Sequence, residues 1–192
     1  MHNLTPANLI TITRILISPI LFIVILSAED QNGASWTAFI FGFVLGISDA
    51  FDGVLARATN SETKLGAFLD PLADKVVVLG CMFSLLAIGR FHYFPVLIIT
   101  IREIGISTFR VMKARQKIII PASKLAKWKT FAQGSALLLA VLPPLKDNDS
   151  LITAFLWFAV LMTVVTGWQY VRNSALITAA KKKAKSNETN KL

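Results

Sequence analysis

Asp49-Ala50-Phe51-Asp52-Gly53-Val54-Leu55-Ala56-Arg57, followed eight residues later by Gly66-Ala67-Phe68-Leu69-Asp70-Pro71-Leu72-Ala73-Asp74, sets four carboxylates into two apolar stretches, each long enough to cross a bilayer. An ionised carboxylate at membrane depth is costly, so such residues mark a functional site by default. Residues three or four apart share a helix face, which aligns Asp49 with Asp52 and Asp70 with Asp74. The intervening Ala58–Leu65 stretch is long enough to return the chain as an antiparallel neighbour, and Gly53 and Gly66 remove side chains where backbones or a ligand come close. Four carboxylates without nearby His or Cys favour hard cations such as Mg²⁺, Mn²⁺ or Ca²⁺ over zinc. Two such ions are the usual clamp for displacement at phosphorus. Arg57 adds a guanidinium fork suited to phosphate. The plainer reading is a set of ion-paired stabilisers, or a proton or cation path in a transporter. A relay, however, has no need of the fixed Gly, Ala and Arg positions.

Composition points to a small polytopic membrane protein. Of 192 residues, 54% are hydrophobic and only 16% charged, with a mean hydropathy of +0.60. Apolar runs of about 20 residues give six spans: Leu9–Ser27, Trp36–Ala56, Gly66–Ile88, Tyr93–Met112, Lys124–Leu142 and Leu151–Tyr170. The first run lacks a basic flank and a cleavage site, so it is expected to stay as a helix. Thr5-Pro6 reads as an N-cap with proline at the first helical position, so that this helix, or a short interfacial one before it, starts there. The expected division is a membrane domain over 1–175 and a basic cytoplasmic tail over 176–192.

Lysine and arginine are unevenly placed. None lies between the first two spans, whereas Arg110, Lys113, Arg115, Lys117, Lys124, Lys127 and Lys129 crowd the fourth connection and Arg172, Lys181, Lys182, Lys183, Lys185 and Lys191 the C-terminus. The positive-inside rule then puts both termini and the aspartates on the cytoplasmic side of the cell membrane. The net charge of +9 belongs with anionic headgroups rather than nucleic acid, because much of it lies beside spans. Cys81 is a lone cysteine inside a span and reads as core.

The stretch Asp49–Asp74 resembles the full signature of the CDP-alcohol phosphotransferase family, with eight fixed positions over 26 residues. The resemblance implies an all-α, six-helix membrane fold, usually homodimeric, that transfers a phosphatidyl or related group from a CDP-linked donor to an alcohol and releases CMP. It implies a two-metal site of Mg²⁺ or Mn²⁺ held by Asp49, Asp52, Asp70 and Asp74, with Asp74 also the general base. Gly53, Arg57, Thr63 and Gly66 fall at positions associated with the CDP group. Asn8, Thr11 and Arg14, at i, i+3 and i+6, form a polar stripe that resembles the family's Asn-x-x-Thr-x-x-Arg element, and Asn8 and Thr11 are expected to contact the nucleotide.

The acceptor has to be read elsewhere. Arg102-Glu103-Ile104-x-Ile106-Ser107-x-x-Arg110 with Lys127-x-Lys129-Thr130-x-x-Gln133 resembles the corresponding region of family members that use glycerol phosphate, although Ala126 and Trp128 replace smaller or more flexible residues. A phosphorylated acceptor needs cations, and Arg110, Lys127 and Lys129 supply them. Arg102 and Glu103 read as an internal ion pair. The expected enzyme moves the phosphatidyl group of CDP-diacylglycerol to sn-glycerol 3-phosphate. Another acceptor such as inositol phosphate is the nearest alternative, and a proton- or cation-coupled transporter the alternative of another class.

Overall fold

The computed structural model describes the backbone of residues 6–58, 64–115 and 124–189, and the side chains within them apart from 6–7, 49–58, 64–68, 70, 115, 124, 126 and 180–189. The described chain is all helical. Six α-helices run α1 (Pro6–Leu26), α2 (Trp36–Ala58), α3 (Lys64–Ala87), α4 (Tyr93–Arg115), α5 (Lys124–Val141) and α6 (Asp149–Thr189), with 3₁₀ turns at Glu29–Gln31 and Pro143–Leu145. Their starts and stops lie close to the six apolar runs, except that α6 continues past Tyr170. Its Ala- and Lys-rich continuation contains no Gly or Pro after Gly167, so nothing breaks the helix where the apolar pattern fades. At 1.5 Å per residue its 41 residues reach about 61 Å, roughly twice the hydrocarbon thickness of a bilayer. The boundary expected at 175/176 therefore falls inside a continuous helix. Pro6 opens α1 as expected, while Thr5 and Thr63 lie outside the described residues.

Among the described residues, two stretches, Asn8–Leu26 and Asp149–Ala179, are long and apolar enough to cross a membrane by length and composition. A shorter apolar stretch, Trp36–Ser48, lies on α2, while α3, α4 and α5 carry Asp70 to Lys75, Arg102 with Glu103, and Lys127 with Lys129.

Polarity is inverted relative to a water-soluble bundle. On α1 the inward face holds Asn8, Thr11, Arg14 and Ser18, while Leu9, Leu16, Ile20 and Ile23 face out. On α6, Thr163, Thr166 and Ser174 are buried, and Trp157, Leu161, Val164 and Trp168 are exposed. An apolar exterior around a partly polar interior suits lipid rather than water. Ser18 also mends its own helix: Pro19 lacks the N–H that would bond Ile15, and the Ser18 hydroxyl donates to the Ile15 carbonyl instead, at 3.0 Å.

α1 packs on α2 and most extensively on α3, α5 packs on α6, α2 and α3, and α4 packs on α6 and α3. Arg14 meets Asp74, and two turns further on the Phe22 ring covers Gly80 so closely that a Cβ there would lie 2.1 Å from it. Helices α1 and α3 therefore run parallel. On α5, Ala132, Ala136 and Ala140 are fully buried at four-residue spacing, a small-residue seam that lets helices approach.

The three short connections gather at one end. Gly33, with φ +74°, fits under Ile88, the Ser35 N–H donates to Val141 O, and Asn32 donates to Lys146 O. Arg90 pairs with Asp149 and donates to Leu145 O at 2.8 Å. Burial pulls the Arg90 guanidinium below its ordinary value, and Asp149 and Asp147 pull it back, so it stays charged. The starts of α1, α3 and α5 and the ends of α2, α4 and α6 form the opposite end. That end holds the polar stripe, the four aspartates and most of the basic residues.

Candidate active site

At this basic end, α2 carries Asp49 and Asp52 and α3 carries Asp70 and Asp74. Asp74 is the one of the four whose side chain is described. The side chains of Asp49, Asp52 and Asp70, like those of Arg57 and the glycine positions Gly53 and Gly66, lie outside the described residues. The donor chemistry fits a hard divalent cation: carboxylates at i, i+3 and i, i+4 on successive helices, with no thiol or imidazole among them.

The Asp74 side chain is half exposed, and its Oδ1 lies 3.4 Å from Nη2 of Arg14. Arg14 itself is only 5% exposed, and Asn8 and Thr11 are 2% and 1%. The polar stripe of α1 therefore points into the bundle toward α3 rather than outward as an interfacial helix start would. This contact brings the N-terminal stripe and the end of the aspartate signature together, 60 residues apart in sequence. An open carboxylate held beside a buried guanidinium can accept a proton from a group bound next to it. The neighbouring Lys75 turns away along its own helix, donating to Pro71 O at 2.9 Å.

Toward α4, α5 and α6 lies a second polar cluster. The expected Arg102–Glu103 ion pair is present, Nη1 to Oε1 at 2.9 Å. Lys129 of α5 joins the same oxygen at 2.8 Å and Gln133 at 3.4 Å. Arg102 Nη2 donates to Thr166 Oγ1 at 2.7 Å, and Gln133 donates to Thr163 Oγ1 at 3.2 Å. Gly167 leaves space for the arginine, since a Cβ there would lie 3.3 Å from its Nε. Lys129 is thus enclosed and paired, whereas Arg110 and Lys127 are exposed. Arg110 lies over the Tyr170 ring, 5.4 Å from its centroid, a cation–π contact that ties α4 to α6.

Thr163 and Thr166 escape a reading of sequence alone, which sees α6 as a plain span. The available signal is their i, i+3 spacing beside Gly167 in an otherwise apolar run.

The sequence model of CDP-alcohol phosphatidyltransferases matches residues 4–165. The chain is 34% identical over 177 residues to a Rickettsia typhi protein named CDP-diacylglycerol--glycerol-3-phosphate 3-phosphatidyltransferase, covering 90% of this chain and 97% of the relative. A Bacillus subtilis protein of the same name is 34% identical over 183 residues, covering 88% and 94%. A Mycobacterium tuberculosis protein named "Probable phosphatidylglycerophosphate synthase" is 32% identical over 169 residues, covering 86% and 79%.

Proposed function

The chain belongs to the CDP-alcohol phosphatidyltransferase family, and from that premise we infer that it is a phosphatidylglycerophosphate synthase, the activity named for relatives aligned over most of its length. A hydroxyl oxygen of sn-glycerol 3-phosphate forms a bond to the phosphorus that carries diacylglycerol in CDP-diacylglycerol. The bond from that phosphorus to the oxygen of CMP breaks, and CMP leaves with the electron pair. The half-open Asp74 carboxylate, with Arg14 of the buried α1 stripe at 3.4 Å, carries the reading of the chemistry, because a carboxylate open on one side can take a proton from a hydroxyl bound beside it.

Asp74 takes the proton of the attacking hydroxyl, and Arg14 steadies the carboxylate. Asn8 and Thr11, with Gly53, Arg57, Thr63 and Gly66, bind the CDP moiety. Asp49, Asp52, Asp70 and Asp74 would hold two divalent cations, Mg²⁺ or Mn²⁺, whose bound charge neutralises the diphosphate. Arg110, Lys127 and Lys129 receive the acceptor phosphate, since a phosphate dianion is matched by charge-assisted donors.

All six helices are read as crossing the cell membrane, with both termini and the site on the cytoplasmic side and a homodimer as the working unit. The inverted polarity supports the first part. The connections at the end away from the site support the orientation, because among them Arg90 and Lys146 are the only basic residues apart from His92.

An acceptor panel tests the function. Purified protein given CDP-diacylglycerol should release CMP with sn-glycerol 3-phosphate and not with free glycerol or serine. Turnover of inositol phosphate in place of glycerol 3-phosphate would overturn the acceptor while leaving the family chemistry intact.

A further inference from the structure

Lys129, read above as a ligand of the acceptor phosphate, donates to a carboxylate at 2.8 Å, and the surroundings of that carboxylate go beyond an ordinary ion pair. A single oxygen, Glu103 Oε1, gathers Arg102 Nη1, Lys129 Nζ and Gln133 Nε2 at 2.9, 2.8 and 3.4 Å. Two of those donors are tied in turn to α6, Arg102 through Thr166 and Gln133 through Thr163. Three helices therefore fix the position of one oxygen. Among the described side chains the charges do not cancel, because Arg102 and Lys129 face the single charge of Glu103, and the three side chains are only 16, 14 and 12% exposed in that order. An enclosed cluster with one positive charge in excess is receptive to an anion. An ammonium has three donors, and Glu103 engages one of them.

We propose that Glu103 is a positioning residue for the acceptor: it fixes the Lys129 ammonium and reduces two cations to one net charge, so that the acceptor phosphate meets a donor already in place. A tethered lysine loses less rotamer freedom when its ligand arrives, and a supporting shell of this kind sets the geometry of the group that makes contact. The proposal rests on the acceptor role of Lys129. A mere strut between α4, α5 and α6 would affect folding and both substrates alike.

The test uses purified full-length protein, with CMP release measured as each substrate is varied in turn and with inorganic phosphate as a competitor of glycerol 3-phosphate. Glu103→Gln should raise the KM for glycerol 3-phosphate about ten-fold and weaken inhibition by phosphate by the same factor, with the KM for CDP-diacylglycerol within about two-fold of wild type. Glu103→Asp keeps the charge but withdraws it from Arg102 and Lys129 by one methylene, so it should fold even where the amide does not and give a smaller rise. Adding Glu103→Gln to Lys129→Gln should cost no more than Lys129→Gln alone, because both act on one contact. An unchanged KM for glycerol 3-phosphate in the Glu103 variants overturns the proposal and leaves the acceptor assignment standing. So does an equal rise in both KM values with a lower melting temperature. Wild-type protein that does not turn over glycerol 3-phosphate removes the acceptor assignment and the proposal with it.

Discussion

Arg14 approaches Asp74 to 3.4 Å while half of the aspartate side chain stays open, and in the proposed mechanism the arginine anchors while the carboxylate reacts. Asp74→Asn preserves shape but cannot accept a proton. Its kcat should fall by about 10²-fold or more, while binding of CDP-diacylglycerol, measured by equilibrium binding, persists; near-normal turnover would take Asp74 out of the mechanism. Asp49→Asn or Asp70→Asn should nearly abolish activity, as should excess chelator on wild-type protein, because each removes a shared anionic ligand or its cation. Full CMP release in chelator would end the two-metal reading. Arg110→Ala or Lys127→Ala should raise the KM for glycerol 3-phosphate more than that for CDP-diacylglycerol. Each loses a charge-assisted bond of about 1.5–3 kcal/mol, and steady-state kinetics with each substrate varied would show the split. The four acidic positions are legible because their spacing is local to two helices. The partners of Arg14 and Lys129 are not, because they lie 60 and 26 residues away and depend on which helices become neighbours.

Helix α1 owes its seat on α3 to the absence of a side chain at Gly80, where the Phe22 ring would meet a Cβ at 2.1 Å. Gly80→Leu should therefore push α1 outward, carrying the stripe of Asn8, Thr11 and Arg14 away from Asp74. Overpacking of this kind costs about 1–3 kcal/mol. The variant should melt earlier in detergent and lose activity, and Phe22→Ala in the same chain should restore much of both. A double variant no better than Gly80→Leu alone would show that the contact does not govern the seat. Element limits were largely readable, since apolar runs end at Gly, Pro and polar clusters. The end of α6 was not, because a hydropathy window stops where lysines begin, whereas a helix of Ala and Lys does not.

Across the whole molecule, the end away from the site is knitted by Arg90, which joins the α3–α4 turn to Asp149 at the start of α6 and to Leu145 O. Arg90→Ala should lower stability by about 1.5–3 kcal/mol, read as an earlier thermal transition, with kinetic constants at low temperature close to wild type. A large change in KM for either substrate would mean that this end communicates with the site. The inversion of polarity, apolar outside and polar within, was foreseeable only in outline. Composition announces a lipid environment, but which face of each helix turns inward is settled by packing. Cys81, meanwhile, is the chain's single cysteine and is sealed in the core of α3. The native protein therefore offers water-borne maleimides almost no background, and a thiol engineered into any one connection would report, by labelling from one face of a sealed vesicle or the other, which compartment that connection occupies.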